Sequence, residues 1–438
     1  MADDDYAEAA ERIIAALFEV HPRPDYRAPM PVLQTACRRC REDAAACATI
    51  GEFVRLVGRL LHVVGDPHVT FRVPGRRRKT APVWLTLVDG LPVVGDVVMP
   101  DLPLGRGDAI LRVGGRDAPA LMYERLERTA YVQAGSGLRG AVDQLLTFDE
   151  DECPGDEVDL LVAGDAGRVR RVALPLLPPD AAPFVAFERQ YRAGLLRRLI
   201  RTDWRDEHRS AVLGYLSCQD RDTPGLVAWA AEVGVAAAEI PTMAETCAAL
   251  FPEMRRRGTR HLVLDLRSNG GGSDGVTAPL WPYLFDGDVW VEGVQWRVSP
   301  TAQALRDDLS RWPLGERRVE PRAWRCGGAV DRFEGQVTVL IDGGTYSSGE
   351  TVAQVLRDNR RARFVGEATG CGRSAGNVLS IPIPEVGGTL RCGCSLFIRP
   401  AQEQGAVYPD VLVRPTLADF RAGRDTVLEA GLAMGGGA

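Results

Sequence analysis

One stretch of the chain, Gln336 to Glu350 (QVTVLIDGGTYSSGE), constrains the fold more than any other. Val337 to Ile341 is an apolar, β-branched run of strand length, and Asp342 to Gly344 interrupt it. Thr351 to Arg357 can then continue as a helix, so the segment predicts a strand, a sharp turn and a helix. Ser347 stands at the helix start, where free backbone N–H groups can bind the oxyanion formed in acyl transfer. We therefore interpret Ser347 as a candidate nucleophile.

The same residues allow a simpler interpretation. Ser347-x-x-Glu350 also fits a capping box, in which the two side chains only satisfy backbone N–H groups of the first helical turn. Because capping pairs are common, this segment taken alone favours a cap over a nucleophile. The choice depends on residues elsewhere in the chain.

Length and charge are those of an ordinary globular protein. The 438 residues are enough for two or three domains with substantial apolar cores. The formal net charge is -6 and there is no basic block, so we expect no nucleic-acid partner. The N-terminus is acidic where a signal peptide would be basic, and no apolar run is long enough to span a bilayer. We therefore expect a cytoplasmic protein without a membrane partner.

The cysteines fit that compartment as reduced thiols, because the chain is long and carries no export signal. Cys37-x-x-Cys40 with Cys47 could begin a zinc site, but no fourth ligand stands at normal spacing and the flanking arginines predict an exposed helix. Cys392 and Cys394 are two apart in a predicted strand and share one face. We expect ordinary thiols in both places and no metal.

Residues 1–72 are predicted to be an N-terminal helical region, because apolar residues recur at helical spacing. The region ends at GDPHVTF, residues 65–71, where Gly and Pro stop the helix and an extended segment begins. His68 stands at this boundary, where functional side chains collect, whereas a histidine inside a helix more often packs. The remaining histidines have no comparable setting in the sequence: His21, His62, His208 and His261.

Residues 80–178 change to short strands with glycine turns. GDAILRVGG, a helical segment from Ala118 to Ala130, and strands at Glu157 to Val162 and Arg168 to Leu174 together resemble a PDZ domain. A PDZ-like module would capture an extended chain or a C-terminus by β-strand addition. The alternative is a generic β-rich insert with a Gly-Asp turn.

Residues 178–210 are rich in proline and then in charge, which is typical of a linker followed by an exposed helix. From residue 186 to 438 strands alternate with helices, which predicts an α/β domain. Its elements include a strand from Ala211 to Cys218, a helix from Met243 to Arg257 and a strand from His261 to Leu266.

Three consecutive glycines, Gly270 to Gly272, follow the strand that ends at Leu266. Glycines at the end of a buried strand let backbone N–H groups approach a ligand closely, as an oxyanion site requires. A flexible loop without a function explains this stretch equally well when it is taken alone.

Four blocks occur together in one order: DLRSNGGG, the strand with its SSGE turn, RARFVGEATGCG and QEQGAVYPDVLVRPT. They resemble the C-terminal processing (tail-specific) protease family, which also includes the tricorn protease core and interphotoreceptor retinoid-binding protein. The resemblance covers about residues 50–435 and implies an α/β fold whose αβα core is of the crotonase and Clp-protease type. It also implies peptide cleavage by Ser347, with oxyanion N–H groups from Ser348 and from the glycine run, at Gly271.

The family has two branches, and the sequence distinguishes them. One branch uses a Ser/Lys dyad with the lysine in an FGKG block, but Gly372 stands at that position here, and Arg373 cannot replace it because a guanidinium stays protonated. The chain contains a single lysine, Lys79, whose arginine neighbours we expect to lower its pKa somewhat. The tricorn-like branch uses serine, histidine and glutamate, which implies His68 as the general base and Glu403 as the residue that orients and stabilises the site.

The block around His68 departs from the tricorn-like pattern, in which a serine precedes the histidine. This chain has Pro67, which offers no hydrogen-bond donor, and Asp66 is a candidate to compensate. A rival hypothesis follows, in which the fold carries an apolar ligand or a peptide without catalysis, as in the interphotoreceptor protein. Because all the expected residues occur in order, we favour a serine endopeptidase without a cofactor, acting on peptides or unfolded proteins. The sequence does not predict the oligomeric state.

Overall fold

The computed structural model describes residues 3–131, 133–153, 155–370, 375–399 and 405–436. The chain forms two compact units that alternate along the sequence. The first unit comprises Met1–Phe184, Gly293–Glu320 and Ser374–Ile398. The second unit comprises Val185–Glu292, Pro321–Arg373 and Arg399–Ala438. The predicted core of residues 186–438 is therefore divided between them.

The helices of the described residues are, in chain order, α1 (Asp3–Val20), α2 (Met30–Ala44), α3 (Ile50–Val64), α4 (Ala118–Leu126), α5 (Ala134–Asp143), α6 (Ala182–Leu196), α7 (Leu226–Glu232), α8 (Met243–Arg257), α9 (Trp281–Leu284), α10 (Pro300–Leu305), α11 (Ser348–Asp358), α12 (Leu417–Arg421) and α13 (Thr426–Ala433). By length and composition, no single helix among these residues could cross a membrane, although one bent pair, Leu226–Glu232 with Ala237–Arg257, could.

The strands are, in the same order, β1 (Thr70–Arg72), β2 (Arg78–Thr80), β3 (Val83–Val88), β4 (Leu91–Val97), β5 (Ala109–Val113), β6 (Arg116–Asp117), β7 (Thr147–Asp149), β8 (Glu157–Ala163), β9 (Val169–Pro175), β10 (Ile200–Arg205), β11 (Ser210–Tyr215), β12 (His261–Asp265), β13 (Gly287–Arg297), β14 (Arg317–Cys326), β15 (Gln336–Ile341), β16 (Arg363–Gly366), β17 (Ala375–Ile383), β18 (Gly388–Ile398) and β19 (Val411–Leu412).

The predicted N-terminal helical region is confirmed as α1, α2 and α3, whose buried faces share one apolar core. The Thr49 side chain caps α3 by accepting a hydrogen bond from the N–H of Glu52. Gly65 ends the helix in the left-handed conformation, with φ 69. This stop fixes the point at which the chain turns toward Asp66 and His68.

The cysteines of the helical region pack as apolar side chains. Cys37 and Cys40 are both buried in the core of the first unit. Burial raises the pKa of Cys40 to about 12, which disfavours the thiolate that a metal site would need. In the first unit Cys392 and Cys394 also lie in a strand, β18, as predicted, and both are buried.

The β-rich region forms an antiparallel sheet with the order β3-β4-β5-β8-β9, and β6 pairs with β5. The predicted strand pair near residues 157–174 is present as β8 and β9, in register from Glu157 opposite Pro175 to Ala163 opposite Val169. Helices α4 and α5 contribute buried residues to the same core. The comparison of this region with a PDZ domain stays a prediction.

A second sheet, most of whose strands lie in the first unit, joins distant parts of the sequence. Its order is β1-β18-β13-β14, and β17 also pairs with β18. Thr70 to Arg72 of β1 pair with Thr389 to Arg391 of β18, so the strand that follows His68 is held by residues more than three hundred positions later.

The second unit is built on a sheet with the order β10-β11-β12-β15-β16-β19. All neighbours from β11 to β19 are parallel, and β10 pairs antiparallel with β11. Strands β11 and β12 are buried along their whole length, as expected for a parallel sheet covered on both faces. Since β12 and β15 are parallel neighbours, the loops that leave their carboxyl ends meet at one edge of the sheet.

The helices and strands predicted for this unit are of the correct type, and their ends lie close to the predicted ends. The predicted helix from Met243 to Arg257 is α8, which begins at a Thr242 cap and ends at Gly258 with φ 65. The linker prediction for residues 178–210 was incomplete, because that stretch contains the strand β10 as well as the largely exposed helix α6. Pairing with the buried strand β11 recruits these charged residues into the sheet.

Candidate active site

The turn between β15 and α11 holds Ser347 in an unusual backbone conformation. Its φ is 51 and its ψ is -123, a region that costs a non-glycine residue roughly 1–3 kcal/mol. The carbonyl of Ser347 accepts hydrogen bonds from the N–H groups of Glu350 (2.9 Å) and Thr351 (3.1 Å), but its side chain makes no capping hydrogen bond. The capping-box alternative for Ser347 is therefore wrong.

Glu350, the other residue of that pattern, is also engaged elsewhere. Its carboxylate is fully buried and accepts a short hydrogen bond from the hydroxyl of Thr369. Thr369 is tied to Val407, whose N–H donates to the Thr369 hydroxyl (2.8 Å) and whose carbonyl accepts from the Thr369 N–H (3.0 Å). These bonds anchor the chain just after the QEQG block, whose predicted Glu403 lies outside the described residues.

Asp342 ties the two loops at this edge of the sheet together. Its Oδ1 accepts hydrogen bonds from the N–H groups of Gly344 (2.9 Å) and Thr345 (3.1 Å) in its own turn. The same oxygen accepts from the N–H of Ser268 (2.8 Å) in the loop after β12. The Thr345 hydroxyl donates in turn to the carbonyl of Leu266 (2.8 Å). One carboxylate oxygen therefore fixes the Ser347 turn against the glycine loop.

The glycine loop packs directly on the serine turn. Gly271 has φ 91, and a Cβ at this position would lie 2.7 Å from the Cβ of Ser347 and 2.8 Å from the N of Ser348. No residue with a side chain fits there without displacing the turn, since Cβ atoms do not approach so closely. The flexible-loop alternative is therefore wrong for Gly271.

Asn269 determines the conformation of this loop, although no motif in the sequence marks it as functional. Its side chain is buried, donates from Nδ2 to the carbonyl of Tyr215 (2.7 Å) and accepts at Oδ1 from the N–H of Gly271 (3.0 Å). The backbone carbonyl of Asn269 accepts from the N–H of Tyr346 (2.8 Å), next to the candidate nucleophile. Its only signal in the sequence is its place between a buried strand and three glycines.

The two predicted oxyanion donors have different surroundings. Ser348 is the first residue of α11, so its backbone N–H lies at the helix start beside Ser347. Its hydroxyl donates a hydrogen bond to the carbonyl of Gly272 (3.0 Å). The N–H of Gly271 is directed to Asn269. An oxyanion role for Ser348 and for Gly271 stays a prediction, and Gly271 would have to share its N–H with Asn269.

We expect Gly271→Ala to lower the free energy of unfolding by about 1–3 kcal/mol, because the added Cβ combines a steric clash with a strained φ. The same displacement of the turn should remove any catalytic activity that depends on Ser347. Denaturant unfolding monitored by circular dichroism measures the first effect. Gly270→Ala is the matched control, since a Cβ there meets no atom within 4 Å. Equal destabilisation by both variants would contradict the tight packing of Gly271 on Ser347.

His68 lies in the first unit, between α3 and β1. Its backbone N–H donates to Oδ1 of Asp66 (2.9 Å), and its ring Nδ1 lies 3.4 Å from the same oxygen. The side chain of Asp66 in turn contacts His21, 2.8 Å from its ring Nε2. His21 has no recognisable role in the sequence, because no local pattern links it to a residue 45 positions later.

Lys79 has surroundings unsuited to a catalytic amine. It lies in strand β2, and its ammonium contacts the carboxylate of Asp156 at 2.6 Å. This hydrogen bond raises the pKa of Lys79, so the expectation that its arginine neighbours lower the pKa was wrong. A Ser/Lys dyad needs a lysine whose pKa is lowered.

Part of the second unit resembles a known peptidase family. Residues 234–413, which contain both the glycine loop and the serine turn, match the model of peptidase family S41. This part of the chain is therefore similar to peptidase family S41. The predicted resemblance to C-terminal processing proteases is thereby confirmed.

Two curated relatives are named as C-terminal processing proteases. The carboxy-terminal-processing protease of Bartonella bacilliformis is 31% identical over 170 residues, which cover 38% of this chain and 34% of that protein. The chloroplastic C-terminal processing peptidase of Tetradesmus obliquus is 29% identical over 120 residues, which cover 27% of this chain and 21% of that protein. The chain thus spans about a third and about a fifth of these relatives.

Solved structures show that the likeness in fold extends over the whole chain. A structure of mature CPAF complexed with lactacystin has a TM-score of 0.75 at 14% identity, covering 99% of this chain and 98% of that chain. A second structure of mature CPAF has a TM-score of 0.71 at 14% identity, covering 95% and 94%. The predicted α/β fold is confirmed.

Proposed function

We propose that this S41 chain is a serine endopeptidase of the tail-specific, tricorn-like type that cleaves peptide bonds through an acyl-enzyme on Ser347. The observation that carries the proposal is the backbone of Ser347, which is held at φ 51 in a strand-to-helix turn while its side chain makes no capping hydrogen bond. A strained turn of this kind exposes the nucleophile in other serine hydrolases. The strain persists here because Asp342 and Gly271 fix the turn from two sides.

Each residue of the proposed mechanism has a defined part. The hydroxyl oxygen of Ser347 attacks the scissile carbonyl carbon while the ring of His68, in the first unit, accepts the hydroxyl proton. The backbone N–H of Ser348 stabilises the oxyanion that forms. His68 then gives its proton to the leaving amine, and water releases the acyl group from Ser347 by the same steps.

The proposed substrate is a peptide or an unfolded protein. Both curated relatives are named for processing of carboxyl termini, and the similar CPAF structure is described as a complex with lactacystin. The pKa of Lys79 is raised by Asp156, which supports His68 rather than a lysine as the base. The proposed enzyme needs no cofactor.

Labelling with a fluorophosphonate tests the proposal, because this reagent reacts with an activated serine and not with a merely exposed one. We expect stoichiometric labelling of the folded protein, with the adduct on the tryptic peptide that contains Ser347. Denatured protein should not react, and Ser347→Ala should remove the adduct. Ser273→Ala, which changes an exposed serine of the same unit, should label like the parent.

Absence of labelling in the folded protein would favour the rival hypothesis of a non-catalytic carrier. An adduct on a different serine would place the nucleophile elsewhere in the chain.

A further inference from the structure

We infer that Asp66 is the carboxylate that positions His68 and that His21 holds Asp66 in place. This inference rests on the proposed role of His68 as the general base. It assigns to Asp66 the orienting part that the family resemblance gives to Glu403.

The carboxylate of Asp66 is surrounded by donors from both histidines. Its side chain is buried, with 3% of the residue exposed. Oδ2 lies 2.8 Å from Nε2 of His21, while Oδ1 accepts the backbone N–H of His68 at 2.9 Å and lies 3.4 Å from its ring Nδ1. A buried carboxylate needs such partners, since an unpaired buried charge is strongly disfavoured.

The hydrogen bonds of His21 fix its tautomer. The backbone N–H of Arg23 donates to its Nδ1 (3.2 Å), so that nitrogen carries the lone pair and Nε2 carries the proton that is donated to Asp66. The ring is 1% exposed, and its backbone is held at the end of α1 by a bond from its N–H to the carbonyl of Leu17 (3.0 Å). The Arg297 side chain also donates to the carbonyl of His21 (2.6 Å). The His21 ring is therefore held as a hydrogen-bond donor to Asp66.

Asp66 remains ionised in this setting. Burial alone would raise its pKa, but the hydrogen bonds from His21 and His68 outweigh that effect and hold the pKa well below its usual range. Among the described residues, the thiol of Cys392 also lies within the electrostatic influence of Asp66, and the Arg297 guanidinium lies close to that thiol and to His21. Burial, and then the charge of Asp66, raise the pKa of Cys392 well above its usual value, so the thiol stays neutral and does not compete for the histidine protons.

The position of Asp66 favours one tautomer of His68. With Nδ1–H directed at Oδ1 of Asp66, the lone pair lies on Nε2, where a general base needs it. The distance of 3.4 Å is longer than a normal hydrogen bond, and we expect it to shorten when the ring becomes charged during the reaction.

Pro67 contributes to the arrangement instead of weakening it. The bond from the N–H of His68 to the side chain of Asp66, two residues earlier, closes an Asx turn. Proline at the central position has a restricted φ that suits such a turn and needs no partner for a missing N–H. Pro67 cannot supply the serine hydroxyl of the tricorn-like pattern, and the carboxylate of the preceding residue, Asp66, takes its place beside His68.

Steady-state kinetics on one unstructured peptide test the inference by comparing Asp66→Asn with Glu403→Gln. We expect Asp66→Asn to lower kcat by about 10²–10⁴-fold with KM changed by less than about threefold, whereas Glu403→Gln lowers kcat by less than about tenfold. The acidic limb of the kcat/KM profile should move to lower pH in Asp66→Asn, because the imidazolium loses its carboxylate. A purely structural role would not move that limb.

Two further comparisons separate positioning from folding. In a His68→Ala background, Asp66→Asn should cause no additional loss, because Asp66 acts only through His68. His21→Gln keeps an N–H donor toward Asp66 and should stay within about threefold of the parent, whereas His21→Leu should lose about tenfold or more in kcat. Circular dichroism and melting temperature establish that each variant is folded.

The inference is overturned if Glu403→Gln costs more than Asp66→Asn, if the acidic limb does not move, or if the losses of Asp66→Asn and His68→Ala add. Should Asp66→Asn fail to fold, the His21 pair decides: equal activity of His21→Gln and His21→Leu also overturns it. Full activity of Ser347→Ala or His68→Ala would instead refute the proposed function. Inactive Ser347→Ala and His68→Ala with an unaffected Asp66→Asn would refute this inference alone.

Discussion

Ser347→Ala is expected to lower kcat for an unstructured peptide by about 10⁴–10⁶-fold while leaving the melting temperature nearly unchanged. The loss follows from removal of the nucleophile. Stability is kept because the Ser347 side chain makes no capping hydrogen bond and alanine experiences the same positive φ. Kinetics and thermal unfolding of the same preparation measure both quantities.

Ser347→Gly is the matched variant for this prediction. It removes the same hydroxyl, so its kcat should fall equally, but glycine tolerates φ 51 and should raise the free energy of unfolding by about 1 kcal/mol. An intact turnover in Ser347→Ala, with stability lowered by about 1 kcal/mol, would restore the capping interpretation.

His68→Ala or His68→Gln is expected to lower kcat by about 10³–10⁶-fold with substrate binding largely kept, whereas Lys79→Arg is nearly silent. The imidazole is the proposed proton acceptor, while the ammonium of Lys79 is paired with Asp156 and arginine can replace it in that pair. Activity of the parent should fall on acidification, since a protonated ring cannot accept the serine proton. The measurement is kcat for both variants on one peptide, with the pH profile of the parent.

The two branches of the family predict opposite results for these variants. A lysine base would lose activity in Lys79→Arg, and its activity would still be rising at pH values well above neutrality, because the hydrogen bond to Asp156 raises the pKa of Lys79. Loss of turnover in Lys79→Arg together with an active His68→Ala would refute the tricorn-like mechanism.

The elements around the candidate site could be predicted from the sequence because their signals are local. The run from Val337 to Ile341 has the composition of a buried strand, and the helix from Met243 to Arg257 has its own cap residues. The turn between strand and helix was also correctly placed. Whether Ser347 caps that helix depends on a backbone angle, which no local residue pattern determines.

Interactions between distant residues were not predictable in the same way. The pKa of Lys79 is set by Asp156, 77 positions later, and not by the adjacent arginines on which the expectation rested. The contact between His21 and Asp66 likewise depends on how α1 packs, and His21 looks ordinary in sequence. Gly293–Glu320 and Ser374–Ile398 belong to the first unit although they come late in the sequence. Their assignment depends on strand pairing between distant residues, which local patterns do not reveal.

The pairing of β1 with β18 has a consequence for the order in which the protein becomes functional during synthesis. Among the described residues, the strand that follows His68 pairs with Thr389 to Arg391, which leave the ribosome more than three hundred residues later. Chains fold domain by domain as they emerge, and a unit closed by its last strand must wait for that strand. We therefore expect the nascent chain to remain unable to cleave itself or its neighbours until Thr389 to Arg391 have been translated.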